Sequence, residues 1–91
     1  MTLHVELVSA EHKVWAGEAQ SVIARTTEGE LGILTGHAPL LAILSPGHVR
    51  IAVLGQPEVV AEVGEGFLSI EHDRVTVVAD MAAVLTGSGT R

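Results

Sequence analysis

The sequence predicts an all-β domain, a sandwich or a barrel. Three observations carry that reading. Short apolar segments alternate with polar residues, they recur at roughly 8–12-residue intervals, and clusters of Gly, Pro, Asp and Ser fill the gaps. The 91 residues contain no break in composition that would mark a linker and no repeat, so one domain is expected over 1–85, with a flexible tail over 86–91 (Thr86-Gly87-Ser88-Gly89-Thr90-Arg91).

Leu3-His4-Val5-Glu6-Leu7 alternates strictly and predicts a half-buried strand with Leu3, Val5 and Leu7 inward. Ser9 to Lys13 is turn-like. Val14 to Ala19 resumes a short strand in which Gly17 suggests a bend, and Gln20 to Thr27 is a β-rich run expected to be covered on both sides or nearly so. Gly29-Glu30-Leu31-Gly32-Ile33-Leu34 follows as a strand, with Leu31 and Ile33 on one face and Gly32 marking a bend, a bulge or a close backbone approach. Thr35-Gly36-His37-Ala38-Pro39 reads as a turn, since Pro39 pushes Ala38 toward extended geometry.

Leu40 to Leu44 is a continuous apolar run of strand length, closed by the Ser45-Pro46-Gly47 turn. His48 to Val53 alternates, with Val49, Ile51 and Val53 inward. Gly55-Gln56-Pro57 is a hairpin tip and Glu58 to Val63 the return strand. After Gly64-Glu65-Gly66, the stretch Phe67 to Glu71 places Leu68 and Ile70 on one face and Phe67 on the other, as cover or as a partner contact. His72-Asp73-Arg74 turns the chain into Val75 to Ala79, and Asp80 to Leu85 is a last strand or a helical turn. The expected core is Leu31, Ile33, Val49, Ile51, Val53, Leu68, Ile70, Val75 and Val77.

Composition excludes several function classes. A chain this short buries about 60–65% of its unfolded surface and, with no cysteine, has no disulfide to compensate. Trp15 and Phe67 are its only aromatic residues, too few for stacking on bases or sugars. The net charge is −6 and the five Lys and Arg are scattered, which argues against nucleic acid and anionic membranes. No leader-like N-terminus is present and no apolar segment approaches about 18 residues, so a soluble, cytoplasmic protein is expected.

Five histidines and eleven carboxylates build no catalytic constellation. His4 and Glu6 share a solvated strand face. Asp73 is expected in its turn for backbone reasons, and no histidine pair has metal-ligand spacing. No nucleophile elbow surrounds a serine, and Gly64-Glu65-Gly66 lacks the helix and lysine of a phosphate loop. A second reading is a carrier or ligand-binding sandwich modified on its single lysine, Lys13, although the neighbours Glu11, His12 and Val14 do not suit one. Glu30 and His37 bracket a glycine-rich apolar strand stiffened by Pro39, and rigid polar points on a β scaffold suit docking because little ordering entropy is lost on binding.

Four segments carry a family resemblance: Val8-Ser9-Ala10-Glu11; Glu28 to Leu41; Pro46-Gly47-His48-Val49-Arg50-Ile51; and Gly66 to Ile70 together with Val75 to Asp80. In them the chain resembles the N-terminal β-sandwich domain of the F-type ATP synthase epsilon subunit, the mitochondrial delta equivalent. The resemblance implies a flattened sandwich of about ten mostly antiparallel strands. It implies a non-catalytic rotor subunit without a cofactor or small-molecule substrate, seated against the gamma subunit and the c ring. Its place would be the cytoplasmic face of the membrane, peripheral and without lipid insertion.

By the same resemblance Glu30 faces the polar loops of the c ring, and Gly36 and His37 lie in the neighbouring loop, near ring and gamma, so that Glu30 and His37 share the ring-facing end. Thr35 stands where many members have proline. The family's two C-terminal helices have no counterpart in these residues, so neither ATP binding nor helix-mediated inhibition is carried over. Gamma-side contacts stay open, because a strand face that binds a partner is apolar on both parities, as a core strand is.

Overall fold

The computed structural model describes residues 2–86 as ten strands, and among these residues there is no helix. In chain order they are β1 (Leu3–Ser9), β2 (Lys13–Ala19), β3 (Ser21–Thr26), β4 (Gly29–Leu34), β5 (Leu40–Leu44), β6 (Gly47–Ala52), β7 (Val59–Val63), β8 (Gly66–Glu71), β9 (Arg74–Ala79) and β10 (Ala82–Thr86). Asp80 to Leu85, open between strand and helical turn on sequence, enters a strand from Ala82 onward, where it pairs with β7. Thr86, assigned above to the tail, is the last residue of that strand, and 87–91 lie outside the described residues.

The strands form one hydrogen-bonded sheet folded into two layers. One layer runs β4-β3-β6-β7-β10 and the other β5-β8-β9-β1-β2. They join where β3 passes from β6 to β5, through the single pairing Thr26↔Leu44. At the far side β10 packs against β1 and β2, so the sheet nearly closes on itself. Overall extents of 31 × 28 × 21 Å give the flattening. All pairings among the described residues are antiparallel except β1 with β9.

The core lies between the layers, and strand register explains its composition. Leu7, Val77 and Leu68 stand side by side across β1, β9 and β8, as do Val5, Val75 and Ile70. In the facing layer Ile33, Val22, Ile51 and Val59 form one row across β4, β3, β6 and β7. All ten are at most 2% exposed. Burying each such side chain stabilises the fold by about 1.5–3 kcal/mol, and their β-branched and γ-branched shapes suit a pleated surface.

Several expectations need correction. Leu31 and Val53 are only half-buried at the core margin, because β4 is an edge strand and β6 ends at Ala52. β3 is not covered on both sides. Val22, Ala24 and Thr26 are buried, but Arg25 on the opposite face is exposed. Gly32 marks neither a bulge nor a close approach: it pairs regularly with Ile23, and nothing lies within 4 Å of where a β-carbon would stand. Gly17 is small because the Trp15 indole lies across it, with ring atoms about 3.0 Å from an added β-carbon.

Candidate partner-docking site

The candidate residues occupy the two ends of β4. At one end the β3–β4 hairpin is tied by Thr26, whose hydroxyl donates to the Gly29 carbonyl at 2.8 Å and accepts from the Glu28 N–H at 3.1 Å. A side-chain hydroxyl that closes a turn in this way competes well with water when it is mostly buried, and Thr26 is 9% exposed. The tip is further held to β5 and its exit, with the Thr27 N–H donating to the Ile43 carbonyl and the Ser45 N–H to the Arg25 carbonyl, each at 3.0 Å. Glu28 and Glu30 are presented outward, and Glu30 stands opposite Arg25 in the register.

At the other end, Thr35 to Pro39 forms the connection to β5. Gly36 adopts φ +87°, in the left-handed region that favours glycine. Its N–H donates to Asp73 Oδ1 at 2.7 Å, and the His37 N–H donates back to the Leu34 carbonyl at 3.1 Å. His37 Nδ1 lies 2.7 Å from the Ala38 carbonyl. A carbonyl can only accept, so this contact requires the proton on Nδ1 and leaves Nε2 for a partner.

Gly36 and His37 therefore sit together, but Glu30 does not join them. Four strand steps from Glu30 to Leu34 span about 13 Å, so the two polar points stand at opposite ends of β4 rather than at one end. Between them lies a feature that sequence reasoning left unassigned. β5 pairs with β3 through Thr26↔Leu44 but makes no pairing with β4, and a groove of about 390 Å³ opens between Thr26–Leu31 and Leu40–Ile43. Leu44 is buried, whereas Leu41 is 68% and Ile43 57% exposed. Phe67 on β8, 41% exposed, stands opposite Ile43 in the register. The signal was present in the sequence, because Leu40 to Leu44 is apolar on both parities. Only the fold shows which face of this run is left exposed and which meets the core.

The other polar groups are ordinary. On β1 and β2 the Lys13 ammonium, 3.5 Å from Glu6 Oε2, holds the Glu6 carboxyl below its usual value, with His4 Nε2 at 3.6 Å on the same oxygen. Arg50 Nη1 and Glu58 Oε1 form a solvated pair at 2.9 Å on the outer face of the other layer, a kind of contact that contributes little. Among the described residues no three His, Cys, Asp or Glu side chains converge as a metal site.

Comparison with known proteins agrees with this architecture. The family model described as "ATP synthase, Delta/Epsilon chain, beta-sandwich domain" matches residues 2–84. The chain is 45% identical over 82 residues to the ATP synthase epsilon chain of Frankia casuarinae, covering 90% of this chain and 96% of that one. It is 46% identical over 80 residues to the Streptomyces griseus epsilon chain, covering 88% of this chain but 64% of the relative. With the Thermobifida fusca epsilon chain the identity is 51% over 84 residues, with 88% and 61% covered. Among solved structures, a chain of the Euglena gracilis mitochondrial ATP synthase, OSCP/F1/c-ring, superposes with TM-score 0.85 at 21% identity, over 91% of this chain and 53% of that one. A chain of the Tetrahymena thermophila mitochondrial ATP synthase central stalk/c-ring gives TM-score 0.74 at 16% identity, over 90% and 66%. Identities this low establish the shared fold alone.

Proposed function

The chain belongs to the β-sandwich domain family of ATP synthase delta and epsilon chains, and from that membership we propose that it is a non-catalytic central-stalk subunit which couples ion-driven rotation of the c ring to ATP synthesis. In this reading it sits peripherally at the cytoplasmic face of the membrane, as part of the synthase. Gamma packs on the exposed apolar strip of Leu41, Ile43 and Phe67, Glu30 meets the polar loops of the c ring, and the Gly36–His37 loop lies near ring and gamma.

Family membership carries the stalk reading, and the observation that supports a protein contact is the strip itself. A monomeric domain of this size gains nothing by turning most of β5 outward, and clustered exposed apolar side chains rimmed by polar groups mark protein contacts. The carrier alternative loses its one support, because Lys13 lies at the start of β2 beside Glu6 rather than free at a hairpin tip.

Two experiments test it. The double variant Leu41→Ser/Ile43→Ser should fold, since both positions are exposed, yet lose gamma binding by about tenfold or more, equivalent to 1.4 kcal/mol. Unchanged affinity in titration calorimetry would remove the strip from the interface. The double variant Glu30→Ala/His37→Ala should change stability by no more than about 0.5 kcal/mol per site while weakening attachment to the ring and lowering ion-driven ATP synthesis in membrane vesicles. Should that variant unfold instead, the two residues are structural and the docking assignment fails.

A further inference from the structure

We propose that Asp73 is the positioning residue of the Gly36–His37 loop, an inference that rests on the reading of that loop as a partner contact. Asp73 is distant in sequence from the loop and lies in the tight turn between β8 and β9, where His72 and Asp73 both take positive φ, 52° and 59°. A two-residue hairpin of this handedness selects Gly, Asn or Asp for backbone reasons, so the turn alone is satisfied without any carboxylate.

The carboxylate is nonetheless engaged. Its Oδ1 accepts the Gly36 N–H at 2.7 Å across 37 residues of sequence, while the Asp73 carbonyl accepts the His4 N–H at 2.8 Å. Three segments thus converge on one residue: β1, the β8–β9 turn and the β4–β5 loop. Within the loop, and among the described residues, His37 is tied only to its near neighbours Leu34 and Ala38. The bond to Asp73 is the one that orients the Gly36 peptide relative to the sandwich. This short bond at the surface fixes the plane from which the His37 side chain leaves the backbone. Asp73 touches no partner in this scheme; it acts through Gly36.

The test uses two variants of the whole subunit that separate the turn from the bond. Asp73→Gly keeps the turn, since glycine adopts positive φ freely, but removes the acceptor. Asp73→Asn keeps both the turn preference and an oxygen at the acceptor position. Amide exchange at Gly36 is followed by NMR, and affinity is measured for the purified gamma–c-ring rotor. Asp73→Gly should unfold at close to the parent temperature, lose protection at Gly36 and bind the rotor about five- to tenfold more weakly, as expected when a preordered contact must be ordered on binding. Asp73→Asn should restore most of the protection and most of the affinity. Unchanged Gly36 protection in Asp73→Gly overturns the positioning role. Lost protection with unchanged affinity, while His37→Ala still weakens binding, overturns its functional importance. If neither Asp73→Gly nor His37→Ala alters affinity, the contact reading of the loop fails first, and this inference falls with it.

Discussion

Replacing Gly66 by alanine should destabilise the domain by about 3 kcal/mol, the upper part of the range for forced overpacking. The reason is local and rigid. A β-carbon at position 66 would fall on the Val78 carbonyl oxygen and lie 2.7 Å from the Ala79 α-carbon. These are backbone atoms of a strand paired on both sides, so no rotamer change removes the collision. The approach is closed on the loop side by the Asp80 N–H on the Glu65 carbonyl at 2.8 Å and the Gly64 N–H on the Met81 carbonyl at 2.9 Å, and on the strand side by the Phe67↔Val78 pairing. For a domain of this length each kcal/mol shifts the melting temperature by roughly 4–8 °C, so thermal unfolding should show a drop of well over 10 °C. Gly32→Ala is the matched control. Nothing lies near its β-carbon position, and alanine in a strand avoids a glycine cost of roughly 0.5–1 kcal/mol, so stability should hold or rise. Equal behaviour of the two variants would show that the close approach at Gly66 relaxes without cost.

The second large effect is expected for Leu68→Ala, at about 2–5 kcal/mol in denaturant unfolding. Leu68 is fully buried and stands between Val77 of β9 and Ala42 of β5, on a strand paired on both sides. Paired backbones on both sides prevent the layer from collapsing into the space that alanine leaves. Net stability for a chain of this size is roughly 5–15 kcal/mol, so one truncation there consumes a large share. A loss below about 1 kcal/mol would mean that the core repacks around position 68, contrary to the close-packed rows described above.

Most strands were legible because their faces differ. β1, β6, β8 and β9 alternate, one face meeting the core and the other water, and the parity of Leu3, Val49, Leu68 or Val75 was enough to place each inside. Edges were not legible. Leu31 has the parity of Ile33 but less cover, because no described strand pairs with the outer side of β4. Local pattern also says nothing about which apolar face is left open, so the exposed run in β5 looked the same as a core strand. Relations across sequence were hidden for a related reason. The bond from Gly36 to Asp73 depends on which hairpin ends beside which loop. The separation of Glu30 from His37 depends on β4 running straight between them, whereas seven residues of chain suggested proximity.

The parallel pairing of β1 with β9 bears on how the domain is made. β1 meets β2 soon after synthesis, but its other neighbour pairs His4 with Arg74, nearly the whole length of the domain away. An isolated two-stranded hairpin is marginal in water, and loop closure over so long a chain must precede the contacts that reward it. On the ribosome β1 therefore waits, with one edge unpaired, until almost every other strand has emerged. Folding in milliseconds to seconds is the range expected for such non-local sheets.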